Sequence, residues 1–333
     1  MDRQFWQGRK VLVTGAGGFT GSRLASELAG LGANVRAFVR AGGSIREIEG
    51  SVEMFVGDLV NPEDCVRAVA GVDTVFNVAA VFRQLRGGRP VLYAVHVQAT
   101  EYLMRAARQA GVRRFIHTST MGVHGHVQHG PGDENTAYGP GDDYQETKLE
   151  GELLARRLAP ELELPLTVIR PCGIYGPGDT RFLKMIKPIR RGTFVMIGSG
   201  EVRYHFVYTD DLLRGFVLAA EKPEAEGQVF LIGGEDKPTL NQLAQLLAEL
   251  QGVPPTKFRV PVAPILWAGW VCEKICNRMA VEPPLHPRRV AFFTKNRDFS
   301  IDKARRLLGY RPQVSLEEGM RRTIEWSRDN GYL

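Results

Sequence analysis

Tyr144-Gln-Glu-Thr-Lys148 contains the residue types best suited to moving a proton on a carbon-bound oxygen. If the segment is helical, side chains four apart stand one above the other on one face. An ammonium beside a phenol favours the phenolate and draws a pKa of about 10 toward neutrality. A base poised there can take the proton from a secondary alcohol while hydride leaves the carbon. The spacing by itself also suits an ordinary amphipathic helix, so its meaning depends on the elements that hold it.

The first of these is Lys10-Val-Leu-Val-Thr-Gly15-Ala-Gly-Gly18-Phe-Thr-Gly21. Val11 to Val13 reads as a buried strand and Ser22 to Leu28 as a helix, with glycines at every third position between them. A tight turn, close backbone approach to a pyrophosphate and free N–H groups at a helix start all need such glycines. Gly15, Gly18, Phe19, Thr20 and Gly21 are therefore candidate cofactor contacts. The next strand, Asn34 to Val39, ends at Arg40, where a NAD-binding unit carries an acid for the ribose hydroxyls. Arginine cannot accept those bonds but pairs with a 2′-phosphate. NADP(H) is thus expected in preference to NAD(H), with Ser44 or Arg46 as further phosphate contacts. The alternative for Arg40 is a solvated loop charge.

With both motifs in place, nearly the whole chain resembles the extended short-chain dehydrogenases/reductases, in their epimerase/dehydratase branch. Gly57-Asp58-Leu59 is similar to that family's adenine-contacting pair, and Asn77-Val-Ala79-Ala80 to its stretch beside the adenosine ribose and nicotinamide. Phe115 to Gly125 resembles the strand end bearing the catalytic hydroxyl, which falls on Thr120, with Ser119 as a substitute. Arg170-Pro171-Cys-Gly173-Ile-Tyr-Gly-Pro177 is similar to the loop joining the cofactor and substrate lobes, and His205 to Asp211 to the later strand-to-helix return. The resemblance implies that Tyr144 exchanges the substrate proton and that Lys148 holds the Tyr144 charge and contacts the nicotinamide ribose. It implies that Thr120 hydrogen-bonds the reacting oxygen. It also implies a homodimer through the helices Val91–Ala110 and Asp143–Leu158.

Departures from the family narrow the reaction. Sugar-nucleotide 4,6-dehydratases carry an Asp-Glu pair after the catalytic threonine, where this chain has Met121 and Gly122. Neither transfers a proton, so oxidation, reduction or epimerisation through a ketone remains. A nucleotide-sugar substrate, handled by a 4-epimerase or 4-ketoreductase, is the first expectation because Arg203 stands where such enzymes hold a diphosphate. Against it, His96 and Gly173 each replace an asparagine common in that branch. His96, Met121 and Arg203 are the candidate substrate contacts. The second expectation is a 3β-hydroxysteroid or sterol dehydrogenase, which Ile169 to Pro177 and the tail Pro284 to Tyr310 resemble. Val260 to Cys272, with Trp267 and Trp270, would then line an apolar pocket or rest on a membrane surface. A third is a non-catalytic NAD(P)-binding sensor, which need not keep Tyr144, Lys148 and Thr120 in register.

Composition fits an enzyme of this kind. The 43 basic and 37 acidic residues give a net charge of +6 but form no dense basic block with interleaved aromatics, which argues against nucleic-acid binding. Four cysteines suggest no disulfide framework, and His124, His126 and His129 lack the acidic partners of a metal site, so no metal is expected. No transmembrane segment or signal peptide is read, and a cytoplasmic location is expected. Strands at Lys10–Val13, Asn34–Val39, Val52–Val56, Thr74–Asn77, Arg113–His117 and Leu166–Arg170 alternate with helical patterns. That alternation predicts an α/β fold, a Rossmann-type doubly wound parallel sheet with a smaller C-terminal substrate-binding lobe. Residues 1–170 would bind NAD(P), with 205–233 returning to the sheet at Val207 and Val229–Ile232. Residues 171–204 and 234–333 would form the discontinuous substrate lobe, including a helix at Thr239–Leu250 and the C-terminal stretch Ile301–Asp329.

Overall fold

Apolar runs buried on both faces make the centre of the fold. The computed structural model describes residues 1–43, 52–82, 88–255, 258–265 and 287–333. Six strands come first: β1 (Lys10–Thr14), β2 (Asn34–Val39), β3 (Val52–Val56), β4 (Thr74–Asn77), β5 (Arg114–Thr118) and β6 (Leu166–Pro171). With β7 (Gly173–Tyr175), β8 (Met196–Ile197), β9 (Phe206–Tyr208), β10 (Val229–Ile232) and β11 (Arg259–Val260) they are the strands among the described residues. The main sheet is parallel, in the order β10-β6-β5-β4-β1-β2-β3. Every residue of β4, β6 and β10 is buried, as a sheet covered on both faces requires.

Helices supply the cover. They are α1 (Arg3–Trp6), α2 (Phe19–Gly30), α3 (Pro62–Val69), α4 (Gly88–Tyr93), α5 (Ala99–Gln109), α6 (Asp143–Glu161), α7 (Leu183–Arg190), α8 (Thr209–Glu221) and α9 (Leu240–Glu249). One core layer joins Leu24 and Leu28 of α2 to Leu212 and Phe216 of α8; the other joins Cys65 of α3, Leu103 of α5 and Leu158 of α6. Strand order reverses between β1 and β4, which opens a crevice at their carboxyl ends.

The second lobe corrects one sequence expectation. Val207 does not enter the main sheet: β9 pairs with β7 in a separate two-stranded sheet, and only β10 returns to the large one. Around that small sheet, Tyr175, Ile186, Phe206, Leu243, Leu247 and Met320 form a third core. The C-terminal stretch Ile301–Asp329 forms two helices, Asp302–Leu308 and Leu316–Asp329. Gly309 ends the first in the left-handed region at φ +66°, and Pro312 cannot donate to a continuing helix. The helix from Leu240 starts on a capping box between Thr239 and Gln242.

The helix expected over Val91–Ala110 is broken by a π-helical turn at Ala94–Gln98, between α4 and α5. There α6 lies so close that a Cβ on Gly151 would stand 2.2 Å from the His96 carbonyl oxygen. Gly151→Ala is therefore expected to cost about 1–3 kcal/mol in urea unfolding. An unchanged midpoint would show that the two helices can part freely.

Candidate active site

The three glycines of the first βα turn have separate steric reasons. Gly15 takes φ +66°, and a Cβ there would lie 2.8 Å from the Cα of Ala79. A Cβ on Gly21 would lie 2.3 Å from the Gly15 carbonyl oxygen. Gly18 caps α2, whose first turn carries no acidic residue of its own to offset the free N–H groups at its start. Phe19 packs toward Gly178, and Arg23 donates to the Pro177 carbonyl at 2.6 Å, tying this turn to the second lobe. The cradle has the chemistry of a dinucleotide site: closely approachable backbone and a free helix start.

The loop after β4 joins this turn to Tyr144. Its Ala79 touches Gly15, while its Phe82 ring meets the Tyr144 ring edge to face at 5.1 Å. Tyr144 thus stands at the glycine-turn crevice, on the first turn of α6, which Asp142 caps through the Gln145 N–H. One turn on, Lys148 is 3% exposed and its ammonium donates to the Thr118 carbonyl. Burial pushes Lys148 down to about 8, and Glu152, a further turn along, partly counters this.

Glu152 is held by Arg170, both with wholly buried side chains, through bonds of 3.0 Å from Nε and 2.5 Å from Nη2. Arg170 also donates to the Glu134 carbonyl and the Tyr138 hydroxyl. Burial works to raise the Glu152 carboxyl, but Arg170 overrides it and holds the group below the usual carboxylate range. Ser119, 3% exposed, lies near enough to Glu152 to lower it slightly without a well-formed hydrogen bond. Thr120 is partly exposed, accepts from the Gly122 N–H at 3.1 Å and caps the short turn Met121–His124. Among the described residues no acceptor takes its own proton.

His96 corrects an expectation. It is 2% exposed, so it does not offer its ring to a substrate. Nε2 accepts from the Val81 N–H at 3.1 Å, which leaves the proton on Nδ1 to donate to Thr147 Oγ1 at 2.9 Å. Burial, then the Lys148 charge, lower His96 to about 3, so it stays neutral. Its ring braces Tyr144 edge-on at 5.5 Å.

Other expected contacts divide in the same way. The Asn77 amide is consumed internally, its oxygen by Thr14 and its nitrogen by Thr100 and His117, which leaves only backbone toward the crevice. Met121, 4% exposed, packs into the core and does not line an open pocket. Arg203 is exposed and donates to the Lys237 carbonyl at 2.8 Å. Arg40 is exposed just beyond β2. Ala80 is exposed too, in the loop after β4. The Asp58 N–H donates to Asp64 and Leu59 is buried, fixing the loop after β3. Pro171 ends β6, and a Cβ on Gly173 would lie 2.6 Å from the Tyr204 ring and 2.9 Å from that of Phe206. Ser44, Arg46, Trp267, Trp270, Cys272 and Cys276 lie outside the described residues.

His124 binds the Thr136 carbonyl and Arg170, whereas His126 accepts from the Asn296 N–H. Among the described residues no group of three or more His, Cys, Asp or Glu could hold a metal ion. The reading from sequence missed Glu152, Phe82, Tyr204 and the pair Asp179–Arg181. Only Glu152 carried a signal, standing four residues after Lys148.

Residues 11–233 match the model of the NAD dependent epimerase/dehydratase family. The chain is 33% identical over 330 residues to the 3 beta-hydroxysteroid dehydrogenase/Delta 5-->4-isomerase of Mycobacterium tuberculosis, covering 93% of this chain and 88% of that protein. It is 32% identical over 327 residues to the 2-alkyl-3-oxoalkanoate reductase of Stenotrophomonas maltophilia, covering 94% and 98%. Among solved structures, the UDP-glucose 4-epimerase of Thermotoga maritima with UDP-glucose superposes at TM-score 0.78 and 26% identity, covering 96% and 99%.

Proposed function

The chain belongs to the NAD-dependent epimerase/dehydratase family, within the extended short-chain dehydrogenases/reductases, and we propose that it oxidises or reduces a ring or chain carbinol of an apolar, sterol-like substrate. Bound NAD(P) would take or give the hydride. The residues that would hold it are the Gly15–Gly21 turn, Arg40, the backbone at Asn77–Ala80 and Lys148. Tyr144 would exchange the proton of the substrate oxygen, and Thr120 would donate its free proton to that oxygen to orient it. Lys148 would supply positive charge from beneath the phenol, and His96 would hold the ring in place. Ser119, turned toward Glu152, is left out of the reaction.

The observation that carries the substrate reading is the filling of space at Gly173. Tyr204 and Phe206, stacked at 4.6 Å, stand where sugar-nucleotide enzymes often place an asparagine near the phosphates. Phe206 is buried and backs the partly exposed Tyr204, whose aromatic face suits a fused-ring or alkyl body better than a diphosphate. The 33% identity to a 3β-hydroxysteroid dehydrogenase along almost the full chain supports the same class. A nucleotide-sugar 4-epimerase or 4-ketoreductase is the second reading, favoured by the likeness to the UDP-glucose-bound epimerase. Nicotinamide absorbance with a 3β-hydroxysteroid should rise on mixing, and calorimetry with UDP should be flat. UDP binding with no steroid turnover would reverse the ranking.

NADP(H) remains the preferred cofactor because Arg40 is an exposed cation at the end of β2. Arg40→Asp is expected to raise KM for NADPH by about 10- to 100-fold, the worth of a charge-assisted phosphate contact, and to lower it for NADH. Equal changes for both cofactors would remove Arg40 from the 2′-phosphate.

A further inference from the structure

Arg181 stands at the mouth of the crevice without a part in the reaction described above. It follows β7 and is oriented by Asp179, whose carboxylate is almost fully buried. Nε donates to one Asp179 oxygen at 2.8 Å, and Nη2 to the other at 2.9 Å and to the Ile174 carbonyl at 3.1 Å. Five donors on a rigid plane are thereby reduced to two: among the described residues Nη1 has no hydrogen-bond partner. The guanidinium is 5.6 Å from the centre of the Phe82 ring, and that same ring meets Tyr144. Partial burial works against the Arg181 charge, but Asp179 overrides it and Tyr144 and Tyr204 add to the effect, so the group stays charged.

We propose that Arg181 receives a carboxylate of the substrate, so that the alcohol or ketone acted on belongs to an apolar hydroxy or keto acid with its acid group close to the reacting carbon. Nη1 supplies two N–H donors to the anion, and Asp179 fixes the plane in advance, which lowers the ordering cost of binding. Phe82, 55% exposed, and the partly exposed Tyr204, backed by the buried Phe206, offer apolar surface to the remainder of the molecule. This rests on the reading of Tyr144 as the proton-exchanging group and names the substrate class for that site.

The test is calorimetry on the NADP-loaded protein with 3-hydroxydodecanoate and its methyl ester. The acid is expected to bind at least about 10-fold more tightly than the ester. Arg181→Met should bring the acid down to the ester's affinity while leaving the ester within about 3-fold, and Arg181→Lys should retain part of the preference. Acid and ester binding alike in the native protein, or weakened together by Arg181→Met, would overturn the assignment. Hydride transfer is scored separately, by nicotinamide absorbance with both 3-hydroxydodecanoate and its methyl ester. Failure there removes the proposed reaction and leaves the anion-binding result to stand or fall by itself.

Discussion

Tyr144→Phe is expected to lower kcat by about 10²- to 10⁴-fold, the usual worth of a positioned acid or base, while leaving cofactor affinity nearly unchanged. The substitution removes one oxygen and keeps the ring, so the edge-on contacts with Phe82 and His96 persist. Cofactor contacts made by the glycine turn, more than a sheet strand away in the chain, are untouched. Steady-state kinetics together with cofactor titration would read both quantities. Turnover within about 3-fold of the native value would mean that another group moves the proton, and the whole scheme would fail.

Glu152→Gln should have the largest effect on stability, a loss of about 3 kcal/mol or more, because it leaves the fully buried Arg170 charge without its counter-ion. Breaking such a pair on one side costs more than the pair itself contributes, since the remaining charge cannot reach water. Urea unfolding checks this, and an unchanged midpoint would mean that Arg170 finds compensation elsewhere. A second readout concerns Lys148. Burial pushes it from 10.5 to about 8 and Glu152 acts the other way, so the variant should lose the lysine proton at lower pH. The alkaline limb of the kcat/KM profile should move down accordingly.

The sign of the linked stability follows from the same shift. Lys148 binds its proton less well folded than unfolded, so the folded state gains stability as pH rises from about 8 toward the ordinary lysine value of 10.5, and loses it as pH falls through about 8. Lys148→Met should flatten that segment of the stability curve.

Local chemistry determined much of this protein in advance. A strand followed by Gly15, Gly18 and Gly21 can form only a few turns, and steric contacts at Gly15 and Gly21 leave no room for a side chain. Tyr144 and Lys148 needed nothing beyond helical period to share a face, and alternating apolar runs sufficed for the parallel sheet. What tertiary structure decided was the use of side chains whose partners lie far along the chain. His96 is a plausible substrate contact until Val81 and Thr147 occupy both its nitrogens, and Asn77 a cofactor contact until Thr14, Thr100 and His117 take up its amide. Val207 reads as a sheet strand by its apolarity, yet pairing is a contest between distant segments and β7 wins it. Arg181 shows the opposite case: nothing in its neighbours' spacing marks it, because its significance comes from Phe82, brought beside it only when the two lobes close on one crevice. Periodicity and backbone sterics act within a few residues and are written in order, whereas hydrogen-bond satisfaction and burial are settled between segments that meet only in the folded chain.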